Sequence, residues 1–191
     1  MGLRDTLFGR TKQVAPKLDN LFALPTAALT LQSELDLVTS GQAGLCFKAG
    51  SGESEITSDD DLRQLLDFDE GAVKVTYTTD DLGFRWIVLH DPDLESLVTR
   101  IHGANTTLVE HGLGPRLLCA VFGFVPAHDA AERAVRMVYL LKQGTFYPFA
   151  PTGADQRDNE LELRVKSFLE HDLAMEKDLT RWMALWNLPV S

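Results

Sequence analysis

The sequence predicts an α+β domain, a mostly antiparallel sheet covered by helices in a two-layer sandwich. First, β-branched and aromatic runs come in pairs joined by short turn-rich connections, which favours hairpins and antiparallel pairing. Second, stretches with apolar residues at helical spacing interrupt those pairs, the pattern of helices laid on a sheet. Third, 45% of the 191 residues are hydrophobic and 24% charged, enough to fill a self-sufficient core and far from a disordered composition. With no repeat and no long linker, residues 1–191 are expected to form one domain.

Within residues 1–12, Leu3, Leu7 and Phe8 share one side and Arg4 and Arg10 flank them, predicting a short basic amphipathic helix. From Pro25 the pattern reads as strands over 28–37 and 44–48, joined in a hairpin by the turn-rich Thr39, Ser40, Gly41 and Gln42. Ser58 before Asp59, Asp60 and Asp61 is an N-cap with acidic residues in the first turn, and Leu62, Leu65 and Leu66 continue a helix. Asp67, Asp69 and Gly71 lack the downstream glutamate of a calcium loop.

Runs at 73–78 and 84–89 make a hairpin whose connection includes Gly83. Asp91 and Pro92 then read as the cap and first residue of a helix carrying Leu94, Leu97, Val98, Ile101 and Leu108 on one side. Strands are expected over 116–125 and 135–141, and a last amphipathic helix over 155–171. Trp182 and Trp186 in the tail are expected to cap the core.

The net charge of −10 argues against nucleic acid, whose phosphates require a basic face. The charge is uneven. Residues 1–17 hold four cations against one acid, +3, so the remainder carries −13. Cys46 and Cys119 lie in apolar runs and are expected as inert core thiols, although neighbouring strands would let them pair. No secretory signal and no apolar run of about 18 residues is read, so a cytoplasmic location is expected, with membrane contact peripheral if any. The five histidines lack zinc spacing and there is no nucleophile elbow, so neither a metal, a cofactor nor a catalytic residue is assigned. His102, Asn105, Glu110 and His111 share one helix and read as solvated surface rather than an acid–base cluster.

The most distinctive stretch is 142–159. Its three aromatics and two prolines are costly to expose, so something must pack on them. The residues are read as a rigid loop in which Lys142, Thr145, Phe146, Tyr147 and Phe149, with Arg157, Asp158 and Asn159 at the next helix start, meet a partner.

Residues 18–25 (Leu-Asp-Asn-Leu-Phe-Ala-Leu-Pro), 115–124 (Pro-Arg-Leu-Leu-Cys-Ala-Val-Phe-Gly-Phe) and 138–153, together with Leu7-Phe8-Gly9-Arg10 and Arg157-Asp158-Asn159, carry a resemblance to the PspA-associated PspAB proteins of actinobacteria. The resemblance implies a small cytoplasmic accessory of a PspA-like membrane-stress response, with a membrane-remodelling coiled-coil protein as partner and no catalytic residues to carry over. The order of elements also resembles the small sandwich of type III secretion chaperones, a likeness of fold alone. The leading expectation is therefore a non-enzymatic adaptor, with Leu3, Arg4, Leu7, Phe8 and Arg10 near the membrane. A small-molecule-binding protein or enzyme using the 142–159 stretch, and a self-associating structural protein, are the alternatives.

Overall fold

The computed structural model describes residues 17–49, 59–66, 73–128, 133–153, 155–186 and 188–190. The helix read over 1–12, with Leu3, Arg4, Leu7, Phe8 and Arg10, lies outside these residues, as do Ser58 and the stretch 67–72.

After a short 3-10 turn, α1 runs Leu24–Leu35, where the sequence reading placed a strand. Pro25 stands in the first helical turn, and Leu24, Ala27 and Leu31 are the buried positions. Their i, i+3, i+7 spacing is helical, and the apparent alternation came from Leu29, which points to solvent at 67% exposure. The helix ends at Asp36, whose φ of 54° is left-handed.

Strand β1 (Leu37–Lys48) passes straight through the expected Thr39–Gln42 turn. Instead of a hairpin, these residues make a bulge: the register against β4 (Leu117–Pro126) shifts between Thr39 and Ala43. Gly41 takes φ 72° there, and its carbonyl accepts from the Asp91 amide at 2.9 Å.

The remaining elements follow the sequence reading more closely. They are α2 (Asp59–Leu66), β2 (Lys74–Thr79), β3 (Phe84–His90), α3 (Leu94–Glu110), β5 (Val135–Leu140) and α4 (Asn159–Leu169). The cap of α3 is Asp93, which accepts from the Glu95 amide at 3.1 Å. Asp91, the expected cap, instead accepts from the Asp93 amide and from the Ser96 hydroxyl. The 142–159 stretch is not a loop: it contains β6 (Thr145–Phe149) and a small hairpin of β7 (Pro151–Gly153) and β8 (Gln156–Arg157).

Six strands form one antiparallel sheet in the order β2-β3-β1-β4-β5-β6. Successive strand residues point to opposite faces, and here both faces are buried. On one face Leu45, Ile87, Phe122, Met137 and Phe146 pack beneath α1, α3 and α4. On the other, Cys46, Trp86, Val121, Val138, Tyr147 and Phe149 are covered by Trp182, Trp186 and Val190 of the C-terminal segment, whose described residues from 182 on make no strand with the sheet. The Trp182 and Trp186 expectation is thus met on the face without helices. Among the described residues, no helix is long and apolar enough to cross a membrane.

Candidate functional site

Alternation along β6 sends Phe146 to the helix face, against Tyr139 at 4.5 Å, and sends Tyr147 and Phe149 to the other. All three are 0–1% exposed. Tyr147 stacks on Trp182 at 5.9 Å and donates its hydroxyl to the Met183 carbonyl at 3.0 Å, and Phe149 meets Trp186 edge-on at 5.2 Å. The outer edge of β6 is also taken. The Phe146 amide donates to the Ala174 carbonyl at 2.8 Å and the Glu176 amide to the Phe146 carbonyl at 2.7 Å. The Thr145 hydroxyl donates to the Glu176 carboxylate at 2.8 Å. What packs on Tyr147 and Phe149 is therefore the chain's own C-terminal segment.

Arg157 lies under the same segment. Its guanidinium sits 5.1 Å from the Phe149 ring centre, pairs with Glu162 at 2.8–2.9 Å and donates to the Trp182 carbonyl at 2.9 Å. Glu162, 1% exposed, also accepts from the Ala150 amide at 2.8 Å. Asp158 caps α4 by accepting from the Leu161 amide at 3.0 Å. That bond, with Arg133 beside it, holds its carboxyl below the usual range despite partial burial. Asn159 is exposed at the helix start.

Lys142 and Thr145 belong to a different feature, an open cleft of about 670 Å³ at this edge of the sheet. Lys17, Lys142, Lys166, Lys177 and Arg181 line it, over a floor that includes Leu173 and Met175. Lys142 donates to the Pro115 carbonyl, Lys166 lies 3.5 Å from Glu170, and Lys17 and Lys177 have no acidic partner among the described residues. Glu176, the second acid of the cleft, is already engaged. Burial pushes its carboxyl up, but the Asp178 amide, the Thr145 hydroxyl and Arg181 outweigh that and hold it below the ordinary value. Against Glu170 and Glu176 the five cations leave the lining of this hollow a net +3 in a chain of net charge −10, a local positive field suited to an anionic surface.

The helix residues read as solvated surface do not converge on a site, and Asn105 departs from that reading. His102 packs against Phe22 at 4.9 Å, the His111 ring hydrogen-bonds its own helix at the Thr107 carbonyl, and Asn105 is instead fully buried, its side chain without a hydrogen-bond partner among the described residues. Among the described residues, no group of three or more His, Cys, Asp or Glu side chains is placed to hold a metal ion. A second open cleft of about 630 Å³ sets Arg133 and Arg164 against Glu34, Asp36, Asp158 and Glu160, so its acids outnumber its cations.

Sequence reasoning identified the aromatics but missed Glu162 and Glu176, whose burial depends on contacts with β6 and its flanks rather than on local pattern. It also missed the cleft, because its cations are scattered over residues 17, 142, 166, 177 and 181. Residues 1–190 match the family described as PspA associated protein B. No curated protein and no solved structure matches the chain.

Proposed function

The chain belongs to the PspA-associated protein B family, and from that premise we propose that it is an accessory protein that works by binding a PspA-type protein, with the basic cleft as the contact. The family supplies the partner. The observation that carries the choice of surface is the gathering of Lys17, Lys142, Lys166, Lys177 and Arg181 around one hollow of an acidic chain. A carboxylate-rich segment of a coiled-coil partner complements that rim, while the apolar floor at Leu173 and Met175 receives its apolar side chains. Thr145, Phe146, Tyr147 and Phe149 support it from behind by fixing the C-terminal segment, and Arg157 does the same from the start of α4 through its bond to the Trp182 carbonyl. In this reading the protein acts in the cytoplasm on a membrane-stress response, and Leu3, Arg4, Leu7, Phe8 and Arg10 bring it near anionic lipid.

The test is light-scattering chromatography of the purified chain, alone and mixed with the PspA-type protein of the same organism. A complex of defined stoichiometry that is lost in the Lys142→Glu, Lys177→Glu double variant supports the reading. A chain that remains monomeric in the presence of that protein overturns it. A complex indifferent to the double variant overturns the choice of cleft.

A further inference from the structure

Cys46 in β1 and Cys119 in β4 are direct cross-strand partners, and both thiols are free. Their side chains lie in the cluster on the sheet face opposite the helices, so they leave the pleat on the same side. Opposed residues of an antiparallel pair have Cα separations of about 4.5–5.5 Å, inside the roughly 4.4–6.8 Å span of disulfides. The register between β1 and β4 shifts immediately after Cys46, which loosens the pairing at that point.

Access is the obstacle. Cys46 and Cys119 are 3% and 6% exposed, and Trp182, Trp186 and Val190 pack in the cluster that contains them. Val190 sits over Gly44, where an added Cβ would come 2.8 Å from its Cγ2. Yet among the described residues 182–190 make no strand pairing with the sheet; the segment's bridge to β6 lies upstream, at Met175. Side-chain donors of Arg136, Tyr147 and Arg157 hold the Val190, Met183 and Trp182 carbonyls. A segment attached in this way opens locally at lower free energy than the sheet beneath it.

We propose that Cys46 and Cys119 are a site of reversible intramolecular disulfide formation, closed while the C-terminal segment covers them and reactive when it lifts. In the closed state the hydrogen bond to Cys119, followed by burial, pushes the Cys46 thiol far up, and a protonated thiol is not a nucleophile. The oxidant is a low-molecular-weight disulfide. In the open state one cysteine loses its proton to water and attacks a sulfur of that disulfide, forming a mixed disulfide and expelling one small thiolate. The second cysteine, deprotonated in turn, attacks the protein sulfur of the mixed disulfide, forming the Cys46–Cys119 bond and expelling the second thiolate. Two protein thiols are oxidised, one small disulfide is reduced to two thiols, and the two protons end on those thiols.

The experiment incubates the full chain with oxidised glutathione and follows intact mass and disulfide-mapped peptides over time. The expected product has lost two hydrogen atoms, maps to Cys46–Cys119 and reverts with dithiothreitol. It forms about tenfold faster in Trp186→Ala, where the cover is weakened. Gly44→Ala, which presses on Val190 from beneath, is a second route to the same acceleration should Trp186→Ala fail to fold. A stable glutathione adduct on one cysteine without closure overturns the proposal, as does closure at the same rate in wild type and folded cover variants. Absence of reaction in all of them, with both thiols alkylated in denaturant, overturns it as well.

Discussion

Glu162 and Arg157 show how one residue pair ties α4, β6 and the C-terminal segment together. The carboxylate is 1% exposed and takes both the Ala150 amide and the guanidinium, while the guanidinium also reaches the Trp182 carbonyl. Removing one member of a buried pair leaves its partner uncompensated, so Glu162→Leu is expected to lower stability by about 3 kcal/mol in urea unfolding. Lys166→Leu, which removes a more exposed pair with Glu170 at 3.5 Å, is expected to change it by less than about 1 kcal/mol. Asn105 gives the opposite sign. Its side-chain amide is fully buried with no hydrogen-bond partner among the described residues, so Asn105→Leu removes an unsatisfied polar group at similar volume. It is expected to raise stability by about 1 kcal/mol in the same assay.

At the scale of elements, the acid side of the stability curve is set where the C-terminal segment meets β6. Glu176 has a lowered pKa in the folded chain, so its contribution is present above the ordinary glutamate value of about 4.3 and is lost as pH falls through the lower folded value. Trp182 donates its indole N–H to the Glu176 carbonyl at 3.2 Å and is well placed to report the loss. Tryptophan fluorescence is expected to change as pH falls below about 4.3 and to stay level from there to neutrality. Glu176→Gln should flatten that change, and a variant that keeps the full transition would refute the assignment.

The elements the sequence revealed best are those whose signals are local: the Phe84–His90 hairpin partner and the apolar stripes of α3 and α4, although the α3 cap is Asp93 rather than Asp91 and α4 starts at Asn159 rather than 155. Where two local signals compete, the reading failed. Leu29 and Leu31 mimic alternation inside α1, and Thr39–Gln42 has turn chemistry that serves a bulge inside β1. The aromatics of β6 were legible as residues that must be covered. Their cover was not identified, because Met183 and Trp186 meet them only through tertiary folding.

For the whole molecule, the governing contrast is a net charge of −10 against one hollow rimmed by five cations. In the proposed function, repulsion elsewhere on the surface and attraction at the cleft would orient an anionic partner before contact, an effect carried mainly by the association rate. The association rate with the PspA-type protein, measured by stopped flow, is expected to fall steeply from about 0.01 M to about 1 M salt as the screening length contracts from about 30 Å to about 3 Å. A rate that does not change with salt would remove the cleft from the encounter. The covering of the second sheet face by residues 182–190 also bears on the order of synthesis. All six strands leave the ribosome before the segment that covers them, so a nascent chain presents Trp86, Val121, Val138 and Phe149 uncovered until that segment emerges. This face is then the one a holdase chaperone would meet first, and premature termination before Trp182 would leave it permanently open to aggregation.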